Sequence, residues 1–402
     1  MANALTVIYA DRLLDGKGTP AVEKAGVLVE NGKIVRVGPR AALQAPPDAA
    51  VIELGARTLL PGLIDAHVHF YTAGVDNVQL RAIEPVTRKT IRGVVGAAEL
   101  LETGYTSVRD MGYAESIYIK QAIEEGEIPG PRMITPGRII VQTGGSPDPY
   151  WLPLEFVRQF DYRCRIADGV DGIRQAAREQ IRNGADFIKV MTSSGLADRL
   201  PIPGSYHYTL EELQAVAEEA HKVGLRLAAH AVSGPAILNA VKAGAQTIEH
   251  GHYADDAALD AMAENGVIFV PTLAVVRAFL NLSAKAEAAF ANALQVVRKA
   301  RERGVRIAAG SDFGGLPVTR LGKGNLQECE LLVEAGLSPA EVIEATTRGG
   351  AEAMGRASEI GTLESGKLAD LVATPSDPLA NISGLREIDF VMKGGKVIRR
   401  AN

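Results

Sequence analysis

Residues 59–70 read LLPGLIDAHVHF and place His67 and His69 one residue apart at the end of an apolar run. The whole chain of 402 residues has only seven histidines. In an extended strand, side chains at i and i+2 point to the same side. Two imidazoles therefore aim at one spot. A His-x-His pair is common by itself, so its meaning depends on what other segments send to the same place.

Working outward, residues 61–355 alternate apolar strands with amphipathic helices. The strand candidates are GLIDAHVHF, YTSVRDMG, RMITPGRII, DFIKVMTSSG, LRLAAHAVSG, AQTIEHGH, VIFVPTLAV and VRIAAGSDFGG. Helical segments such as TLEELQAVAEEAHKVG lie between them, with Thr209 as N-cap and Gly224 as the C-terminal stop. Such alternation predicts a parallel sheet, and eight repeats predict closure into a (β/α)8 barrel. An open doubly wound sheet fits less well, because no glycine-rich phosphate loop follows the first strand.

The flanks have a different texture. Residues 1–60 read as short strands with an Asn-Gly hairpin cue in ENGK, and residues 356–402 repeat that style around Gly394-Gly395. The two ends are predicted to pair into one small β-sandwich that brackets the barrel.

Apolar residues make up 47% of the chain and charged residues 23%, with a net charge of −5. That balance gives no electrostatic ground for binding nucleic acid or an anionic membrane. Cys164 and Cys329 are the only cysteines, too few for a disulfide framework and without metal-ligand spacing, which suits a reducing interior. No apolar run approaches ~18 residues, and the N-terminus lacks secretory-signal character. The expectation is a cytoplasmic protein, with self-association left open.

In barrels the carboxyl ends of the strands carry the chemistry. Those ends supply His67 and His69 from strand one, Lys189 from four, His230 from five, His250 from six and Asp312 from eight. Singly, each histidine could be an ordinary core residue and Asp312 a turn cap. Lys189 is the hardest to explain that way, because a lysine in a buried strand is strongly desolvated. His207 and His221 fall on a loop and a helix and read as surface residues. Imidazoles and a carboxylate suit Zn²⁺, and the donors outnumber what one tetrahedral ion needs, so two ions are expected. No Glu or Cys stands at a suitable strand end to bridge them. A desolvated Lys189 amine could instead add carbon dioxide, giving a bridging carbamate.

The motifs PGLIDAHVHF, GADFIKVM, AAHA, IEHG, AGSDFG and GTLESGKLADLV together resemble the amidohydrolase superfamily, and TPGRII, HYTLEELQAVAEEAHKVGLRLAAHA and SPAEVIEATTRGGAEAMG its prolidase-like subgroup. The resemblance implies that His67 and His69 bind one metal and His230 and His250 the other. Carboxylated Lys189 would bridge, and Asp312 would contact a metal and act as general base. It implies hydrolysis of the amide bond of a dipeptide or N-acyl amino acid, a substrate with a free carboxylate. Where relatives have Gly-Gly-His, this chain has Ser146 in QTGGSPDPYW, which puts the inherited specificity in question. Tyr208, His252, Ser146, Arg320 and Arg277 are the expected substrate contacts, with Tyr150 and Trp151 walling an apolar pocket. The alternatives are a mononuclear imidazolonepropionase- or deaminase-like hydrolase, and a carbamate, phosphotriester or lactone hydrolase using the same two ions. A deaminase is disfavoured because HAVSG has no acid three residues after His230.

Overall fold

A computed structural model describes residues 5–71, 74, 77–160, 163–196, 204–281 and 284–400. The N-terminal segment supplies β1 (Leu5–Leu13), β2 (Val22–Glu30), β3 (Lys33–Pro39), β4 (Ala50–Glu53) and β5 (Thr58–Pro61). Asn31 and Gly32 both take positive φ between β2 and β3, as a two-residue hairpin of this twist requires.

The middle of the chain then runs through β6 (Leu63–Val68), β7 (Tyr105–Asp110) and β8 (Arg132–Ile134), which pair in parallel in that order. Next come β9 (Ile139–Val141), β10 (Cys164–Ile166), β11 (Phe187–Met191), β12 (Arg226–Ser233), β13 (Thr247–Tyr253), β14 (Ile268–Val270) and β15 (Arg306–Ile307). They form a second parallel sheet in the order β10-β9-β11-β12-β13-β14-β15. Hydrogen bonds link the two sheets at both flanks. Ala66 N donates to Ala309 O (2.9 Å) and Asp312 N to His67 O (2.7 Å), while Asp186 N donates to Thr135 O (2.8 Å). The strands β6, β7 and β11 are buried along their full length, as expected where helices cover the outer face of a parallel sheet.

The third predicted strand, RMITPGRII, is two pieces. Pro136 has no N–H to give a ladder and Gly137 takes φ +67, so the chain breaks after β8 and resumes as β9 beside β11. The strand β10 was not foreseen; it pairs with β9 and carries the residues that follow a long loop.

The helix Leu210–His221 is capped as expected. Thr209 Oγ1 accepts from Glu212 N (3.3 Å), and the Glu212 carboxylate accepts from Thr209 N (2.7 Å). The C-terminal segment adds β16 (Leu371–Thr374), β17 (Phe390–Lys393) and β18 (Lys396–Arg400). Antiparallel pairing of β16 with β5 unites both ends of the chain in one eight-stranded sheet, with order β18-β17-β16-β5-β1-β2-β3 and β4 beside β1. Gly366 N donates to Ile34 O and Ile34 N to Lys367 O, both at 2.8 Å, which draws the β3 edge back toward the C-terminal segment. Among the described residues, no helix is long and apolar enough to cross a membrane.

Candidate metal centre

The prediction that His67 and His69 share a side holds: their ring centroids lie 5.4 Å apart. His67 is the better anchored. Its backbone N–H donates to Asp65 Oδ1 (3.0 Å), and its Nδ1 meets Glu249 Oε2 at 2.9 Å. Burial raises the Glu249 carboxyl, but Arg109 and Lys189 outweigh it and hold the group ionised. An ionised acceptor fixes the proton on His67 Nδ1 and turns the Nε2 lone pair outward, toward Asp312 Oδ1 at 3.4 Å. Arg109 in turn donates Nη2 to both Glu249 oxygens (2.8 and 2.9 Å), Nη1 to Thr247 Oγ1 (2.9 Å) and Nε to Ala66 O (2.7 Å).

Asp312 lies at the centre of the ring. One oxygen is 3.0 Å from His69 Nε2, and the other is 3.9 Å from His250 Nδ1. Burial opposes its ionisation, yet His67, His69 and Lys189 together hold its carboxyl below the ordinary value. His67, His250 and Asp312 each offer a donor atom, all within 4.8 Å of one another. His230 meets His250 edge to face with centroids 4.4 Å apart, and His250 Nδ1 is 2.8 Å from Thr272 Oγ1. Burial pushes His67 down to about 4, and His230 and His250 well below their ordinary range. Neutral imidazole is the form that binds metal.

Lys189 lines the same pocket and is 2% exposed. Its Nζ has no hydrogen-bond partner, and burial pushes it down to about 8. His69 Nδ1 and His252 Nδ1 are likewise buried without partners. A cluster of neutral imidazoles, an ionised carboxylate and an orphaned buried amine fits divalent metal, which would supply the missing charge.

The backbone is bent to make this cluster. His250 and Asp312 take φ +75 and +58, and Thr272 takes +52, conformations that disfavour any residue but glycine. Gly314 is required nearby, since a Cβ there would lie 1.7 Å from His69 O.

Several expectations need correction. The sequence reading places no Glu at a suitable strand end, yet Glu249 reaches the centre, although strand alternation alone would send it away from a barrel-facing His250. The left-handed φ at His250 breaks that alternation, and both side chains reach His67. Its carboxylate supports His67 and grips Arg109, another residue the sequence reading missed. His207 is on a loop but is 4% exposed, with Nε2 3.4 Å from Ser194 Oγ, because the loop before the helix folds over Gly145. His221 is exposed, as predicted.

Tyr208 does not reach the pocket. Its left-handed φ of +59 turns the ring into the core, and its hydroxyl donates to Ala167 O (2.8 Å). Arg320 points away and pairs with Glu99 on the helix Val86–Glu102, and exposed Arg277 lies over the Phe290 ring. Trp151 and Tyr150 pack edge to face on each other, outside the pocket lining. The expected residues that do line the pocket, a cavity of about 150 Å³, are the six candidate ligands together with Ser146 and His252. Arg163, Phe279 and Leu316 join them.

The model of the Amidohydrolase family matches residues 58–398. Ochratoxinase of Aspergillus niger is 32% identical over 437 aligned residues, covering 98% of this chain and 87% of that protein. Its crystal structure superposes with a TM-score of 0.90 at 29% identity, covering 99% of this chain and 96% of that one. A Xaa-Pro dipeptidase crystallised with methionine in its active site gives 0.87 at 29% identity, covering 98% and 100%. A prolidase complexed with N-methylphosphonate-L-proline gives 0.88 at 29% identity, covering 99% and 100%. The fold neighbours of this mixed α/β chain are thus enzymes of the TIM-barrel type, and members of the family generally use divalent metals. The chain belongs to the amidohydrolase family, a family of hydrolases whose members similar to it include enzymes that act on amide bonds.

Proposed function

We propose that this chain is a binuclear metal-dependent amidohydrolase that cleaves the C–N bond of a dipeptide or N-acyl amino acid. In this reading the parallel strands close into a (β/α)8 barrel over residues 61–355, bracketed by a β-sandwich of residues 1–60 and 356–402. The enzyme works in the cytoplasm, where the buried thiols of Cys164 and Cys329 stay reduced. The observation that carries the proposal is Lys189: a buried amine without a hydrogen-bond partner, in the pocket that holds Asp312 and five histidines.

His67 and His69 would hold one ion and His230 and His250 the other, with Lys189 as a carbamate between them and Asp312 as a further ligand. With its amine pushed down to about 8, Lys189 has a sizeable neutral fraction near pH 7 to attack carbon dioxide, releasing one proton as the carbamate forms. Bound Zn²⁺ supplies Lewis acidity toward the substrate carbonyl and brings the pKa of water to about 7.

Asp312, ionised in the fold, accepts the proton of the attacking water. The water oxygen bonds to the carbonyl carbon, the C–N bond breaks, and Asp312 returns the proton to the leaving nitrogen. His252, buried in the pocket wall, has Nε2 3.3 Å from the Pro271 carbonyl, which keeps its proton on Nε2 and leaves Nδ1 as an acceptor rather than an oxyanion donor.

A free carboxylate on the substrate is supported by the ligands of two similar structures, since methionine and N-methylphosphonate-L-proline both carry one. The test is a panel of dipeptides and N-acyl amino acids offered to zinc-loaded protein. Release of the C-terminal amino acid is expected. Turnover confined to phosphotriesters, carbamates or lactones would replace this reading with the alternative hydrolase.

A further inference from the structure

The proposed substrate brings a carboxylate into a pocket whose metal ligands are already committed, so another group must receive it. Among the described residues lining the pocket, Arg163 and Lys189 are the only lysine or arginine side chains. Lys189 sits with the histidines and Asp312. Arg163 comes from the other wall, with Ser146 and Pro147.

Its placement is fixed from two sides. The Arg163 carbonyl accepts from Ile139 N (3.0 Å) where β9 and β10 begin to pair, and its Nη2 donates to the Pro147 carbonyl (2.5 Å). The side chain is half-buried, so the guanidinium is partly desolvated without being sealed in. Such a planar fork recognises a carboxylate through two parallel N–H donors. The rest of the wall is largely apolar, with Met191, Val232, Val275, Phe279 and Leu316, and its remaining polar side chains, Tyr71, Thr319 and His252, bring no lysine or arginine charge.

We infer that Arg163 is the specificity-determining residue that reads the free carboxylate of the substrate, with the Ser146 hydroxyl beside it and the apolar wall taking the side chain. This inference rests on the amidohydrolase reading above. It assigns to Arg163 the role that Tyr208 and Arg320 cannot fill, because one is turned into the core and the other faces Glu99.

The test compares N-acetyl-L-methionine with its carboxamide twin, following acetate release by zinc-loaded wild type, R163M and R163K. Wild type should prefer the acid. R163M should lose about 10- to 100-fold in kcat/KM on the acid, the range for one hydrogen bond to a charged group. It should change little on the amide, so the preference disappears, and R163K should keep part of it. Equal losses on both substrates would reduce Arg163 to a prop for the 146–148 loop and overturn the inference, as would an intact preference in R163M.

Calorimetric titration of L-methionine and L-methioninamide into both proteins separates this inference from its parent. If wild type releases no acetate, the reading of N-acyl amino acids as substrates fails. A preference for methionine that vanishes in R163M would still uphold the role of Arg163, and its persistence would refute it.

Discussion

The sheet built from the two chain ends and the mouth of the parallel strands treat backbone and charge in opposite ways. In the sheet, positive φ falls mainly at turns, Asn31-Gly32 and Gly394-Gly395, with exposed Lys24 as an exception within β2. Its charges pair near the surface, as Arg57 does with Asp389 (2.7 Å) and Arg40 with Glu53 (2.6 Å). Around the mouth, Tyr208, His250, Thr272 and Asp312 adopt the left-handed region without being glycine, at about 1–3 kcal/mol each. There too, Lys189, His69 and His252 bury polar atoms that lack partners. One region is arranged for stability. The other holds a costly arrangement that makes sense as the unfilled half of a metal centre.

Perturbing the mouth should cost activity, and perturbing the periphery should cost little of anything. The largest effect is expected from Asp312→Asn, which removes the proton acceptor but keeps the shape. Turnover should fall by about 10²- to 10⁴-fold while metal content, read by elemental analysis, stays at the wild-type level. Unchanged turnover would remove Asp312 from the chemistry.

Next comes Glu249→Gln, which leaves Arg109 buried without its countercharge. Breaking a buried pair costs about 3–5 kcal/mol, and loosening a ligand's support weakens metal affinity by about 10- to 100-fold. Urea unfolding and zinc titration would measure the two effects. Normal stability and affinity would mean that the Arg109–Glu249–His67 chain is incidental.

The metal-free protein should also lose stability in acid. Burial pushes His67, His207 and His252 down to about 4 in the fold, whereas unfolded histidine takes up its proton near 6.5. Between those values these rings bind more protons in the unfolded chain, so their contribution to stability falls as pH drops from about 6.5 to about 4. Asp65 and Glu328, which burial pushes up to about 6 and about 8, partly offset that loss. Each ring contributes at most about 1.4 kcal/mol per pH unit. Urea midpoints across that window should slope accordingly, and His207→Gln should make the slope shallower. A flat profile would contradict the burial of neutral rings.

The smallest effect is expected from Arg320→Ala. Its partner Glu99 lies at the surface and Arg320 itself is 66% exposed, so stability should move by no more than about 0.5 kcal/mol. A raised KM would restore Arg320 as a substrate contact.

Much of the centre was legible because strand geometry is periodic. An i, i+2 histidine pair and polar residues at successive strand ends meet whenever parallel strands lie side by side, and His67, His69, Lys189, His230, His250 and Asp312 do line one pocket. Glu249 was missed where periodicity fails, at the left-handed His250. Arg109 carries no signal in the sequence, which does not announce a buried ion pair formed across 140 positions. Loop residues were read least well. Tyr208 follows from a resemblance at HYTLEEL and Arg320 from its loop after the eighth strand, while their directions depend on one positive φ and on the position of Glu99. Arg163 reaches the pocket only because β10 pairs with β9, a contact that short hydrophobic patterns do not specify.

The central claim is that Lys189 becomes an anionic bridge between two ions. The most direct measurement combines ion stoichiometry of zinc-reconstituted protein with carbon-13 NMR after exposure to labelled bicarbonate, in wild type and Lys189→Ala. The account predicts about two ions per chain and a carbamate resonance in wild type, with both the second ion and the resonance lost in the variant. A fully active wild type holding a single ion and giving no carbamate signal would contradict it.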